Sequence, residues 1–281
     1  MTTDRPKLDP DRQAMAKAYS SLRRRLGLTE TFLMLIYLAV WIETGAAAGV
    51  SAWFTAALPN FGAAALLGVA AAIAAPWYVL TLPLAWYTGY VLPHRFGLSN
   101  QTPILWFTDQ AKGLLLGVGI GLPLLLIVYG VMERWPATWW IVVAIGSMTF
   151  VVLMSAVAPI VLMPIFFKLR PLGDDRTDLV ERLAQLARKA GQEVRGVFTF
   201  DMSRRTKSAN AALVGLGRTR RILLGDTLIS VFTDDEIETV LAHELGHHVH
   251  RDLPRSIAVQ GLLTLGSLGV AAAVVSEFAG R

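Results

Sequence analysis

Charge is almost absent from four long stretches of the chain. Between Thr31 and His94 the only acidic or basic residue is Glu43, and none occurs in 113–132, 138–167 or 256–276. The hydrocarbon core of a bilayer takes about 20 apolar residues per helix. The stretches therefore divide into five predicted membrane spans, at residues 31–50, 63–86, 113–132, 139–166 and 257–275. A different pattern fills residues 168–256. Helical periodicity over 178–190 stops at Gly191, a C-cap residue. Alternation over 194–200 predicts a strand, and 210–216 with 221–224 predicts a hairpin turning at Gly217-Arg218-Thr219-Arg220. A short helix from Asp226 then leads into a longer one starting at Thr233.

The expected fold class is mainly α: a polytopic membrane protein whose transmembrane helix bundle carries a small cytoplasmic α+β module. Residues 1–30 form an amphipathic, partly helical cytoplasmic lead, 31–167 a four-span membrane domain, 168–256 the α+β module and 257–281 the fifth span with the chain's end. Pro76 and Pro83 interrupt the second span and Pro159 and Pro164 the fourth. Such breaks are tolerated where neighbours or a wet cavity satisfy the backbone. Glu43, an acid within a span, is a functional candidate by default, with a structural place at the membrane interface as the equal alternative.

Composition sharpens this picture. Only 17% of the 281 residues are charged and 54% are hydrophobic, against about 25% charged in soluble domains. Cysteine is absent, which excludes disulfides and thiolate zinc sites and leaves His, Asp and Glu as metal ligands. Seven basic residues from Arg5 to Arg25 precede the first span, so this end is expected in the cytoplasm. Four crossings return the chain there at Lys168. The net charge of +5 reads as topology and contact with anionic lipid. No nucleic-acid motif accompanies it.

The chemistry lies in His243-Glu244-Leu-Gly-His247. On a helix, residues four apart are neighbours, so His243 and His247 can share one metal ion. Glu244 is turned by about 100° from His243, where it can reach a water activated by the ion without ligating it. This is the H-E-x-x-H arrangement of zinc peptidases. Thr233 and Glu236 form a capping box that starts the helix, with Asp234 and Asp235 at its positive end. Two histidines are too few for a peptidase zinc, which takes three protein ligands and a water. His250 stands about 10 Å along the axis from His243, and His248 is expected to point away. Upstream carboxylates such as Asp201 or Asp226 could approach, though no spacing in the sequence brings them there.

Further motifs precede these: Arg95-Phe-Gly97-Leu-Ser-Asn100-Gln101-Thr102, Asp201-Met-Ser203-Arg204-Arg205-Thr, Ser208-Ala-Asn210-Ala211, and Gly215 through Arg221 to Asp226. In this order behind four spans, from about residue 15 to Leu253, the set resembles the type I CAAX prenyl endopeptidases and their bacterial homologues. The resemblance implies a membrane zinc metalloendopeptidase of a bacterial cell membrane, its site facing the cytoplasm. It implies one Zn2+ at His243 and His247, Glu244 as general base, and an intramembrane chamber. It also implies a peptide or protein substrate, CAAX-type or otherwise membrane-associated, laid along the edge strand at Asn210 and Ala211. In the family the third ligand is a glutamate after further membrane helix. It is expected beyond Arg281, since Glu277 lies past the fifth span, and the chain as given is expected to bind zinc weakly and to show little activity. The alternatives are a quality-control protease of the heat-shock type and a non-catalytic membrane protein with a vestigial metal site.

Overall fold

A computed structural model describes residues 9–173, 176–215, 220–250 and 252–279. Helix α1 (Pro10–Glu43) starts where the Asp9 carboxylate accepts from the Asp11 amide and Pro10 opens the first turn, a position where its missing N–H is no loss. The lead and the first predicted span are thus one helix. It stops short of the expected residue 50 because Gly45 takes a left-handed conformation, φ 66°, readily available to glycine. Helix α2 (Ala46–Ala57) follows, so most of the expected loop is helical. It ends at Leu58, which precedes Pro59, a position disfavouring helix. Glu43 is the exposed last residue of α1.

Helix α3 (Gly62–Trp86) contains Pro76 and Pro83 and passes through a π-helical turn at Tyr87–Val91 into α4 (Leu92–Arg95). At this widened turn Gly89 admits the Trp106 indole, whose nitrogen would stand 3.0 Å from any β-carbon there. Trp86 stacks on Tyr90 and meets Trp106 edge-on. Helices α5 (Pro103–Arg134), α6 (Trp139–Val161) and α7 (Met163–Phe166) follow. Pro159 stays within α6, whereas Pro164 lies just past the break between α6 and α7. The last helix is α11 (Asp252–Ala279). Among the described residues, five helical stretches are long and apolar enough to cross a membrane: Pro10–Glu43, Gly62–Arg95, Pro103–Arg134, Trp139–Phe166 and Asp252–Glu277. Leu115, Ile127, Leu262 and Val270 are exposed on them, as suits side chains that meet lipid.

The chain divides into two compact units, residues 1–106 and 107–281. In the second, α11 packs along α6 at two glycines, Gly261 against Met148 and Gly269 against the Trp140 ring. Small residues let membrane helices approach closely.

The soluble module holds β1 (Leu169–Pro171), α8 (Thr177–Lys189), β2 (Val197–Phe200), β3 (Ala211–Val214), β4 (Arg221–Gly225), α9 (Asp226–Val231) and α10 (Asp234–Val249). The sheet order is β1-β2-β4-β3. The outer pairs are antiparallel and β2–β4 is parallel. The expected hairpin is β3–β4; most of its turn, residues 216–219, lies outside the described residues. Leu179 and Leu183 of α8, Ile222 and Leu224 of β4, and Ile237 and Leu241 of α10 are fully buried together. Arg182 ties the two helices by ion pairs to Asp235 and Glu238. Across the unit, Arg205 donates twice to Asp109 of α5, at 2.8 Å each, with only 13% and 16% of the two side chains exposed.

Both halves of the capping box are present: the Thr233 hydroxyl accepts from the Glu236 amide, and the Glu236 carboxylate accepts from the Thr233 amide. Thr233→Ala is expected to weaken the start of α10 by about 1 kcal/mol, seen as faster amide exchange in its first turn. The Thr233 amide, then its hydroxyl, hold the Glu236 carboxyl below its ordinary value of 4.5. A depressed acid stabilises the fold above the unfolded value and loses that contribution as pH falls through the folded one. First-turn protection should therefore be full above about pH 4.5, decline under more acid conditions, and lose this pH dependence in Glu236→Gln.

Candidate metal centre

Helix α10 places the His243 and His247 rings on successive turns with centroids 4.9 Å apart. The opposite face, Ile237, Leu241 and Leu245, is buried against α8 and the sheet, so the exposed histidines stand on a fixed rod. Glu244 is half-buried between the two faces. His247 Nδ1 lies 2.7 Å from Oδ2 of Asp252, the first residue of α11. A proton on Nδ1 donates to this carboxylate and leaves Nε2 as a lone-pair donor, the outer-shell arrangement that orients metal-ligating imidazoles. The same hydrogen bond raises the His247 pKa; desolvation opposes it, and the charges of Asp252 and Glu244 add smaller upward effects. Asp252→Asn is expected to weaken divalent-metal affinity about 10–100-fold, measured by chelator competition.

The other expected residues fall as follows. His248 does not simply turn away: it is half-buried and lines, with His247, a cavity of about 670 Å³. The walls include Pro159 of α6, Leu213 and Val214 of β3, and Leu253 and Pro254 of α11. Strand β3 lies at the sheet edge, but the part beside this cavity is Leu213–Gly215. Asn210 is exposed and its carbonyl accepts from Gly225, while the Ala211 side chain is buried in the core. Asp201 and Asp226 are engaged elsewhere, Asp201 by the Lys168 amide and Arg204, Asp226 by Ser203 and the Thr227 amide. Helix α11 runs unbroken for 28 residues, about 42 Å at 1.5 Å per residue, and carries Glu277 far from its start. Among the described residues no group of three His, Asp or Glu side chains could hold a metal ion. The residues present fit two of the three protein ligands of a peptidase zinc. Asp252 was not expected from the sequence, although an acid five residues after His247 at a helix junction is its signal.

A family model described as CAAX prenyl protease N-terminal, five membrane helices, matches residues 5–168, and one described as peptidase family M48 matches 174–281. The chain belongs to the family of membrane M48 peptidases that these two regions define. It is 36% identical over 172 residues to CAAX prenyl protease 1 of Saccharomyces cerevisiae, covering 60% of this chain and 37% of that protein. To the uncharacterized metalloprotease YhfN of Bacillus subtilis it is 26% identical over 263 residues, 94% of this chain and 61% of that one. The crystal structure of S. mikatae Ste24p superposes with a TM-score of 0.82 at 25% identity, over 96% of this chain and 63% of that one. The chain thus spans less than two thirds of each of these relatives. It is an integral, multi-pass membrane protein.

Proposed function

We propose that this chain carries the catalytic helix of a membrane zinc metalloendopeptidase, with His243 and His247 as zinc ligands and Glu244 as general base. The observation that carries the reading is the pair of imidazoles on adjacent turns, one oriented by Asp252. Zinc, when bound, supplies Lewis-acid activation of water and of the peptide carbonyl. Glu244 takes the proton from the attacking water and returns it to the leaving amine. An extended peptide adds to the edge of β3, whose backbone supplies hydrogen bonds, with Asn210 and Ala211 at one end and the cavity beside His247 at the other. Peptides of the CAAX type are the substrate class, on the strength of the relatives' names. Arg5 and Lys7 before α1, with Arg12, Lys17 and Arg23 to Arg25 in its first half, support a site on the cytoplasmic face.

Zinc titration of the purified chain tests the reading directly. Weak, reversible binding that is lost in His243→Ala and in His247→Ala is the expected result. Binding unchanged in both variants would remove the metal from these histidines and favour a non-catalytic membrane protein.

A further inference from the structure

A second pocket of about 370 Å³ opens on the soluble module, away from the histidines, lined by Lys168, Arg170, Thr199, Asp201, Arg204 and Asp226 among others. Lys168 comes two residues after Phe166, the end of the fourth long apolar stretch. Arg170 and Thr199 are directly opposite across the β1–β2 ladder, so their side chains leave the sheet on the same side. The Thr199 hydroxyl is buried and has no hydrogen-bond partner among the described residues. The pocket's two carboxylates are already used. Asp201 accepts from the Lys168 amide and from Arg204, and Asp226 from the Ser203 amide and hydroxyl and the Thr227 amide. Lys168 and Arg170 make no ion pair with the described residues. Arg204 is paired with Asp201, and Asp226 is held by amide and hydroxyl donors, so Lys168, Arg170 and the spare Thr199 hydroxyl leave the opening with one excess positive charge and an unused donor, an electrostatic site for an anion.

We propose that Lys168, Arg170, Arg204 and Thr199 bind a phosphate group, that of an anionic phospholipid headgroup, where the chain leaves the membrane. The acyl chains would then lie along the apolar helix ending at Phe166, and the phosphate at the depth of the pocket mouth. This reading is independent of the metal centre. Basic residues beside a span attract anionic headgroups even when exposed, and a concave site with a hydroxyl adds a fixed position for one of them.

The full chain, purified in neutral detergent and stripped of lipid, is titrated with dioleoylphosphatidylglycerol or dioleoylphosphatidylcholine, and retention is read by native mass spectrometry. The wild type should retain the anionic lipid about tenfold more tightly. Lys168→Gln with Arg170→Gln should erase most of that preference. Arg188→Gln with Lys189→Gln, removing two charges from the last turn of α8, should keep it. Equal retention of the two lipids by the wild type overturns the proposal without needing any variant to fold, and so does a preference that survives Lys168→Gln with Arg170→Gln. Inorganic phosphate is the second arm. If it protects the wild type from thermal unfolding as well as phosphatidylglycerol does, the ligand is a soluble phosphate and the lipid assignment fails.

Discussion

In a version extended to the length of its relatives, replacing Glu244 by glutamine is expected to lower peptide hydrolysis about 10²–10⁴-fold, the range for loss of a positioned acid–base group, while leaving zinc content unchanged. Glutamine has nearly the same shape, so the half-buried place on α10 and the turn that separates it from the buried face survive. What disappears is the ability to take a proton from water and pass it to the amine. Hydrolysis of an extended peptide and metal analysis on the same preparation check this together. An unchanged rate would exclude Glu244 from the mechanism, and a joint loss of zinc and rate would make it a ligand or a structural residue.

The largest expected effect on stability comes from Asp109→Ala. Arg205 donates two parallel hydrogen bonds to Asp109 and lies 4.7 Å over the Phe167 ring, with most of its surface excluded from water. Removing one partner of a largely buried pair costs about 3–5 kcal/mol, because the other charge stays desolvated. The melting temperature in detergent should fall by several degrees. Asp109→Leu combined with Arg205→Met should recover most of the loss, since apolar residues of similar volume often replace a buried pair at no cost. Failure of the double variant to recover would mean that the pair is needed for its specific geometry.

Much of this architecture was legible because it rests on local rules. The uncharged stretches mark lengths of helix, and the capping box and apolar stripe place α10 with its two imidazoles on one side. The α8 helix stops at Gly191, with φ 70°, where a C-cap was expected. Features that depend on distant residues were not legible. Strand β1 is three residues including a proline at a sheet edge, too short for alternation to register. Arg205 and Asp109 are 96 residues apart, and no periodicity relates them. The end of α1 depended on one left-handed glycine inside an otherwise apolar stretch, which a hydropathy pattern passes over. At the site, the closeness of the His243 and His247 rings was readable from spacing alone. The carboxylate behind His247 was not, because it belongs to the next helix, whose direction no local pattern fixes.

That junction gives Asp252 two employments. It is both the foot of a 28-residue apolar rod and the rest against which an imidazole leans. A rod that long answers a thinner or thicker bilayer by changing its tilt, and its first residue is the one that holds the His247 ring. A change in lipid thickness is therefore expected to reach the aim of Nε2 through this one side chain.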